Sequence, residues 1–209
     1  MEDAEEWYGG FTVPKKIRRH TGKYSGLMTV AELARAVTPP GKDKTKVADQ
    51  LRWYLRQGYL TPVAREEEGR KAFLFLPDQA LVAEVLFRMA EFGIAETEAG
   101  LAANQAFNVW REDDLPEGKP PHPTPGLMVI RDYEAGHRDW SFELWCFIEV
   151  STGQKRFHAR LAANQRRIGT SLRWGKENGH DPRAVFAVDL VDVLDPIHPR
   201  NRKKREGMN

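Results

Sequence analysis

Within the fourteen residues from Lys44 to Gln57, the chain carries Lys44, Thr45, Lys46, Asp49, Gln50, Arg52, Trp53, Arg56 and Gln57. Cations of this kind bond phosphate oxygens, while amides, hydroxyls and lysines read base edges, so the mixture suits a segment that lies in a DNA groove. Lys42 precedes it, and Arg65, Arg70 and Lys71 follow around a polar turn, where they could touch a sugar-phosphate backbone. A second set could do acid–base or metal chemistry: His137, Asp139, Glu143, Glu149, His158, His180, Asp181, Asp189, Asp192 and His198. None has the spacing of a zinc, nucleotide or triad motif, so no catalytic residue, metal or cofactor is expected. One enzymatic alternative remains, in which Asp189 and Asp192, read as part of a last strand, hold a divalent ion with Glu143 or Glu149 as in a nuclease. His158, between Arg156 and Arg160, reads as a solvated hairpin face.

The first set needs a helix, and the sequence supplies two. Thr29 and Glu32 form a capping-box pair, after which Val30, Leu33, Ala34 and Val37 mark one apolar stripe until Pro39-Pro40-Gly41 stops the helix. A second helix is expected from Asp43 or Thr45 to Gly58, turning Val47, Leu51, Tyr54 and Leu55 toward the first and leaving the polar set outward. Tyr59 to Val63 and Ala72 to Leu76, around a turn at Glu66 to Gly69, fit a two-stranded ribbon.

The run Leu51-Arg52-Trp53-Tyr54, then Gln57-Gly58-Tyr59-Leu60-Thr61-Pro62, a Gly-Arg wing and a helix opening near Asp78 resembles the MerR-type winged helix-turn-helix over about residues 28–93. That resemblance implies double-stranded DNA as partner, Arg52 on phosphate, Trp53 at a DNA-facing aromatic position, and Lys46 and Gln50 at base edges. Three features depart from the family pattern: the longer turn Pro39 to Lys44, a single cysteine where metal- or oxidant-sensing members cluster several, and a short helix in place of the long dimerisation helix. The same module occurs in excisionases, phage small terminase subunits and plasmid proteins.

Further along, Leu81, Val82, Val85, Leu86, Met89 and Phe92 give a helix from Asp78 to Gly93, and a weakly amphipathic one follows from Ala95 to Trp110, packing late or against another subunit. Residues 111–126, with five prolines, read as an interdomain linker. Beyond it the spacing predicts a strand at Leu127 to Tyr133, a hairpin of Trp140 to Val150 with Lys155 to Leu161, a helix bearing Arg166, Arg167 and Arg173, and a last strand from Val185 to Leu194. Leu-Ala-Ala-Asn-Gln occurs at 101–105 and again at 161–165, and is read as two similar helix turns. The fold class is therefore α+β: an N-terminal arm (1–26), a winged helix-turn-helix domain (27–110), the linker, a small β-β-β-α-β domain (127–197) and a basic tail (198–209).

Net charge is only +2, but its distribution is uneven. From Pro14 to Lys71 fourteen Lys or Arg stand against six Asp or Glu, a local balance of +8. Lys155 to Lys176 holds seven basic residues and no acidic one, and Arg200 to Arg205 five more. Clustered positive charge beside a groove-reading helix suits a polyanion, because each neutralised phosphate releases a condensed counterion. No apolar run spans a bilayer, the start lacks the pattern of a secretory signal, and one cysteine, Cys146, excludes an internal disulfide, so the cytoplasm is the expected location. The expectation is a sequence-specific transcriptional regulator, a repressor binding as a homodimer, with a small-molecule or protein effector at its C-terminal domain. A DNA-processing nuclease or recombination factor, and a module binding RNA or protein, are the alternatives.

Overall fold

In a computed structural model the described residues are 7–8, 11–12, 16–17, 26–67, 71–110, 122–163, 166–169 and 172–198, with the backbone alone at 7–8, 11–12, 16–17, 166–169 and 172–174. They form an α+β protein that divides into two compact units, Met1–Ala83 and Glu84–Asn209. The division falls inside a helix and not in the proline-rich stretch.

In the first unit α1 spans Val30–Val37 and α2 spans Lys44–Arg56. Both begin on side-chain caps. Thr29 Oγ1 accepts from the Glu32 N–H at 3.3 Å while Glu32 accepts from the Thr29 N–H at 2.8 Å, and Asp43 accepts from the Thr45 N–H at 2.8 Å. Leu33, Ala34 and Val37 face Ala48, Leu51, Tyr54 and Leu55 across the helix pair. Gly58, at φ 76°, ends α2 in a left-handed turn in which the Gly58 N–H reaches Leu55 O at 3.0 Å and the Tyr59 N–H reaches Tyr54 O at 2.9 Å.

Two short strands precede the helices, β1 (Trp7–Tyr8) antiparallel to β2 (Phe11–Thr12), and a third, β3 (Lys16–Ile17), runs parallel to β4 (Ala64–Glu66). The pairing Lys16↔Arg65 and Ile17↔Glu66 adds the backbone of the N-terminal arm to the ribbon edge. β4 pairs antiparallel with β5 (Phe73–Leu74), a shorter ribbon than the sequence predicts, because Tyr59, Leu60 and Pro62 are buried as irregular chain. Leu27, Ala64 and Leu74 close a small core with Val63 and Leu76.

Helix α3 (Asp78–Glu91) holds the division between the units. In the second unit α4 (Thr97–Asn108) lays Ala99, Ala102, Ala103, Ala106 and Phe107 onto the sheet, small side chains that let its backbone approach closely. The four-stranded antiparallel sheet has the order β8-β7-β6-β9, from β6 (Trp140–Glu149), β7 (Lys155–Ala163), β8 (Arg166–Gly169) and β9 (His180–Asp189). Helices α5 (Pro125–Glu134), α6 (Leu172–Glu177) and α7 (Leu190–Ile197) complete it.

The string β-β-β-α-β is present, but from other segments than the sequence predicts. Leu127 to Tyr133 is α5, capped by Thr124, which accepts from the Leu127 N–H at 3.1 Å, with Pro125 in its first turn and Met128, Val129 and Tyr133 buried at helical spacing. The predicted linker therefore ends three residues early, and the Trp110 indole donates to His122 O at 3.0 Å, so the two ends of the proline-rich stretch lie together within one unit; residues 111–121 are outside the described ones. Arg166–Gly169 is strand β8 where a helix was expected. Asp189 ends β9 and caps α7, accepting from the Val191 N–H at 2.8 Å, so the last strand stops five residues before Leu194. Pro196 lacks the N–H that would bond Asp192 O, and Arg88 Nη2 donates to that carbonyl at 3.0 Å instead. Among the described residues no helix is long and apolar enough to cross a membrane.

Candidate nucleic-acid interface

Helix α2 carries most of the expected DNA-facing residues. With Ala48, Leu51, Tyr54 and Leu55 turned inward, Thr45, Lys46, Asp49, Gln50, Arg52, Trp53 and Arg56 share the outer side and are exposed. Lys44 departs from the expectation: it stands seven and eleven residues before Leu51 and Leu55, on the inward side, and is exposed because it is the helix's first residue. Lys42 is exposed in the turn before α2.

Two of the outward groups already have partners. Arg52 pairs with Asp49 at 2.5 Å, with side chains 52% and 67% exposed, an arrangement cheap to exchange for a phosphate. Burial pushes the Tyr54 phenol pKa up, and the neighbouring Gln50 side chain lowers it in part. Trp53 meets Tyr59 edge-on at 5.6 Å and Tyr54 at 5.5 Å, so it is held on one side while the residue remains 39% exposed. Tyr59 is a contributor the sequence reading missed. Its position directly after the glycine that ends α2 was the available signal.

On the ribbon, Arg65 is half-buried with its guanidinium over the Phe73 ring, 4.4 Å from the centroid. Lys71 is exposed in a left-handed conformation, φ 48°. Arg70 lies outside the described residues, as does the tail after His198.

The basic run of the second unit is arranged differently from the expected open face. Lys155 pairs with Glu96 at 3.6 Å, Arg156 with Glu149 at 3.3 Å, and Arg160, its side chain 6% exposed, with Glu143 at 2.5 Å beneath Trp145. His158 and His180 stand edge-on to the buried Phe147 ring, at 5.4 and 6.2 Å, so the hairpin face read as solvated is partly covered. Gly175 of α6 lies against that ring: a Cβ there would be 2.2 Å from Phe147 Cε1.

The acid–base candidates are dispersed apart from His158 and His180, whose rings meet edge-on with 5.9 Å between centroids. Glu143 and Glu149 are held by arginines, Asp181 pairs with Arg183 at 2.9 Å, and Asp189 ends β9 and caps α7, whereas Asp192 lies in the first turn of that helix and not in a strand. His198 caps the end of α7 and faces Glu134 at 3.4 Å, whereas His137 and Asp139 are exposed after α5. Among the described residues no three His, Cys, Asp or Glu side chains are grouped to hold a metal ion.

One cavity, of about 690 Å³, opens on the second unit's sheet between the end of α3 and β9, lined by Phe92, Ile94, Leu144, Cys146, Phe157 and Phe186. Arg88, Glu96, Lys155, Asp189 and Asp192 also line it, so the wall is mixed and the volume alone falls in the range of small-molecule pockets. Burial pushes the Cys146 thiol pKa up, which keeps it a neutral wall group. In comparisons with known proteins, the chain matches no family model, no curated protein and no solved structure.

Proposed function

We propose that residues 28–76 act as a MerR-like winged helix-turn-helix on double-stranded DNA, and that the protein is a sequence-specific transcriptional regulator, a repressor binding an inverted repeat as a homodimer. The observation that supports this reading is the outer side of α2: seven polar or aromatic side chains, exposed on a helix that is capped at both ends and backed by α1. Arg52, Arg56 and Lys71 serve phosphates, Lys46 and Gln50 base edges, and Arg65 the ribbon's approach to the backbone. Two modules on a symmetric site double a short half-site, which a single helix needs for useful specificity. The cavity beside Cys146 is the place this reading gives to a small-molecule effector.

Binding to duplexes selected from a random pool, followed by fluorescence anisotropy at several salt concentrations, tests the assignment. Arg52→Ala weakens every duplex and lowers the salt slope by about one, whereas Lys46→Ala and Gln50→Ala cost about 1–3 kcal/mol at one base position and relax preference there. Selection that yields no consensus, with RNA competing as well as duplex, removes the regulator reading. Magnesium-dependent cleavage of plasmid DNA that disappears in Asp189→Ala or Asp192→Ala transfers it to a DNA-processing enzyme.

A further inference from the structure

β9 is an outer strand of its sheet, with β6 on one side and no strand on the other among the described residues. An open edge is ordinarily blunted by charge, proline or a bulge. Here those devices stand together at one end: Asp181, Pro182 and Arg183, where the register with β6 shifts between Cys146↔Ala184 and Phe147↔Pro182. The five residues that follow, Ala184-Val185-Phe186-Ala187-Val188, are all apolar; Ala184, Val185 and Ala187 are exposed, Val185 to 48%. Phe92, 76% exposed, lies against Phe186 with 5.5 Å between ring centroids and extends the patch. Asp189 and the start of α7 close the run at its far end.

We infer that this edge is the dimer interface, the β9 strands of two copies of this chain pairing antiparallel about a twofold axis at Phe186. The sequence of the edge is self-complementary in that register. Ala184 falls opposite Val188 of the partner subunit and Val185 opposite Ala187 of the partner subunit, so every central pair is apolar. Arg183 falls opposite Asp189 of the partner subunit, twice per dimer, which places an ion pair at each end. Pro182 lies just outside the paired run, so its missing N–H interrupts nothing, and the bulge beside it ends the ladder. Arg183 is released at little cost, because its present bond to Asp181 is between side chains 61% and 49% exposed. The two sheets become one, and the Phe186 rings meet at the axis.

This pairing supplies the dimer that the DNA reading requires, but it is measured without DNA, so the two fail separately. Sedimentation equilibrium of the full chain is expected to show a monomer–dimer equilibrium. Arg183→Asp places two like-charged pairs in the homodimer, as does Asp189→Arg, and each weakens dimerisation by about tenfold or more. An equimolar mixture of the two variants restores opposite charges at both ends and returns dimerisation to the wild-type range. Asp189→Arg also removes a helix cap, so circular dichroism is recorded for it; Arg183→Asp touches no cap and carries the test alone if the other variant unfolds. A wild-type chain that stays monomeric, or a dimer indifferent to Arg183→Asp, overturns the interface; a mixture that fails to recover overturns the register. Duplex binding that persists in either case leaves the DNA reading standing.

Discussion

The two units differ in how deeply their charges are held. In the first, Lys46, Arg56 and Lys71 stand in solvent and Arg52 holds an exposed pair with Asp49, around helices and a ribbon that are held by caps and apolar contacts. In the second, Lys155, Arg156 and Arg160 are bonded to Glu96, Glu149 and Glu143, and Arg88 completes the hydrogen bonding of α7. Raw counts of basic residues suggest two polyanion-binding faces. The pairing makes Arg160 an internal cross-link, whereas Lys155 and Arg156, 62% and 41% exposed, hold surface pairs as Arg52 does with Asp49.

The largest test of that difference is Arg160. Its guanidinium is buried with Glu143 and lies over Trp145, 5.5 Å from the ring centroid, and Trp145 Nε1 donates to the same carboxylate at 3.0 Å. Arg160→Ala takes the cation from a half-buried carboxylate that keeps the Trp145 indole as donor, a loss of about 3 kcal/mol, the low end for breaking a buried pair. Replacing both partners together, Arg160→Met with Glu143→Leu, recovers most of it. Hydrogen exchange at β6 and β7 amides, read beside exchange in α1 and α2, reports the loss where it occurs; protection in β6 unchanged by Arg160→Ala means the pair is surface decoration. Arg56→Ala, the counterpart on α2, leaves stability within about 0.5 kcal/mol.

Gly175→Ala comes next. The added methyl meets the fully buried Phe147 ring, which has no room to withdraw, and costs about 1–3 kcal/mol in urea unfolding. Phe147→Leu in the same chain relieves the clash and recovers part of the loss. If the alanine variant is as stable as the parent, α6 does not pack on Phe147.

Gly58→Ala is smaller, about 1–2 kcal/mol, because it forces a Cβ into the left-handed turn after α2. Its effect separates the units: exchange in α2 quickens, exchange in β6 does not, and duplex affinity falls with the order of Tyr59 and Trp53.

How much of this could be read in advance follows from the range of the interactions. The start and end of α1 and α2 depend on residues within four positions of one another, Thr29 with Glu32, Asp43 with Thr45, Gly58 with Leu55, and the sequence shows them directly. The second unit is decided at a distance. Leu-Ala-Ala-Asn-Gln is helix at 101–105, yet at 161–163 the same residues are strand, since β7 is fixed by pairing with β6 twenty or so positions earlier. Leu-Met-Val-Ile at 127–130 has strand composition, and only Thr124-Pro125 before it and Gly136 after it, at φ 98°, mark the helix. Asp189 was visible as a residue type but not as a cap, although Leu190, Val193 and Leu194 follow it at helical spacing. The outer side of α2 was assigned correctly except at Lys44, where the register of the helix decides the side.

The smallest effect tests whether even the exposed end of the second unit keeps its charges occupied. At the β6–β7 turn, Glu149 accepts from Thr152 Oγ1 at 2.9 Å, from Arg156 Nη2 at 3.3 Å and from Ser151 Oγ at 3.3 Å. The Thr152 hydroxyl, more than Arg156 or Ser151, holds this carboxyl below the usual carboxylate range. A lowered folded-state pKa contributes stability that is fully present above the unfolded value and is lost as the pH falls through the folded one, so the turn loosens only in acid, below the range where free glutamates titrate. Thr152→Val removes the largest cause and moves the Glu149 titration, followed by carboxyl carbon NMR, upward toward the ordinary glutamate range. Ser151→Ala moves it less, and Arg156→Gln removes both a hydrogen bond and a charge. A Glu149 titration that stays in place in Thr152→Val while shifting fully in Arg156→Gln would mean that the ion pair alone holds the turn, and that the exposed charges of this unit behave like Arg52 and Asp49 on α2.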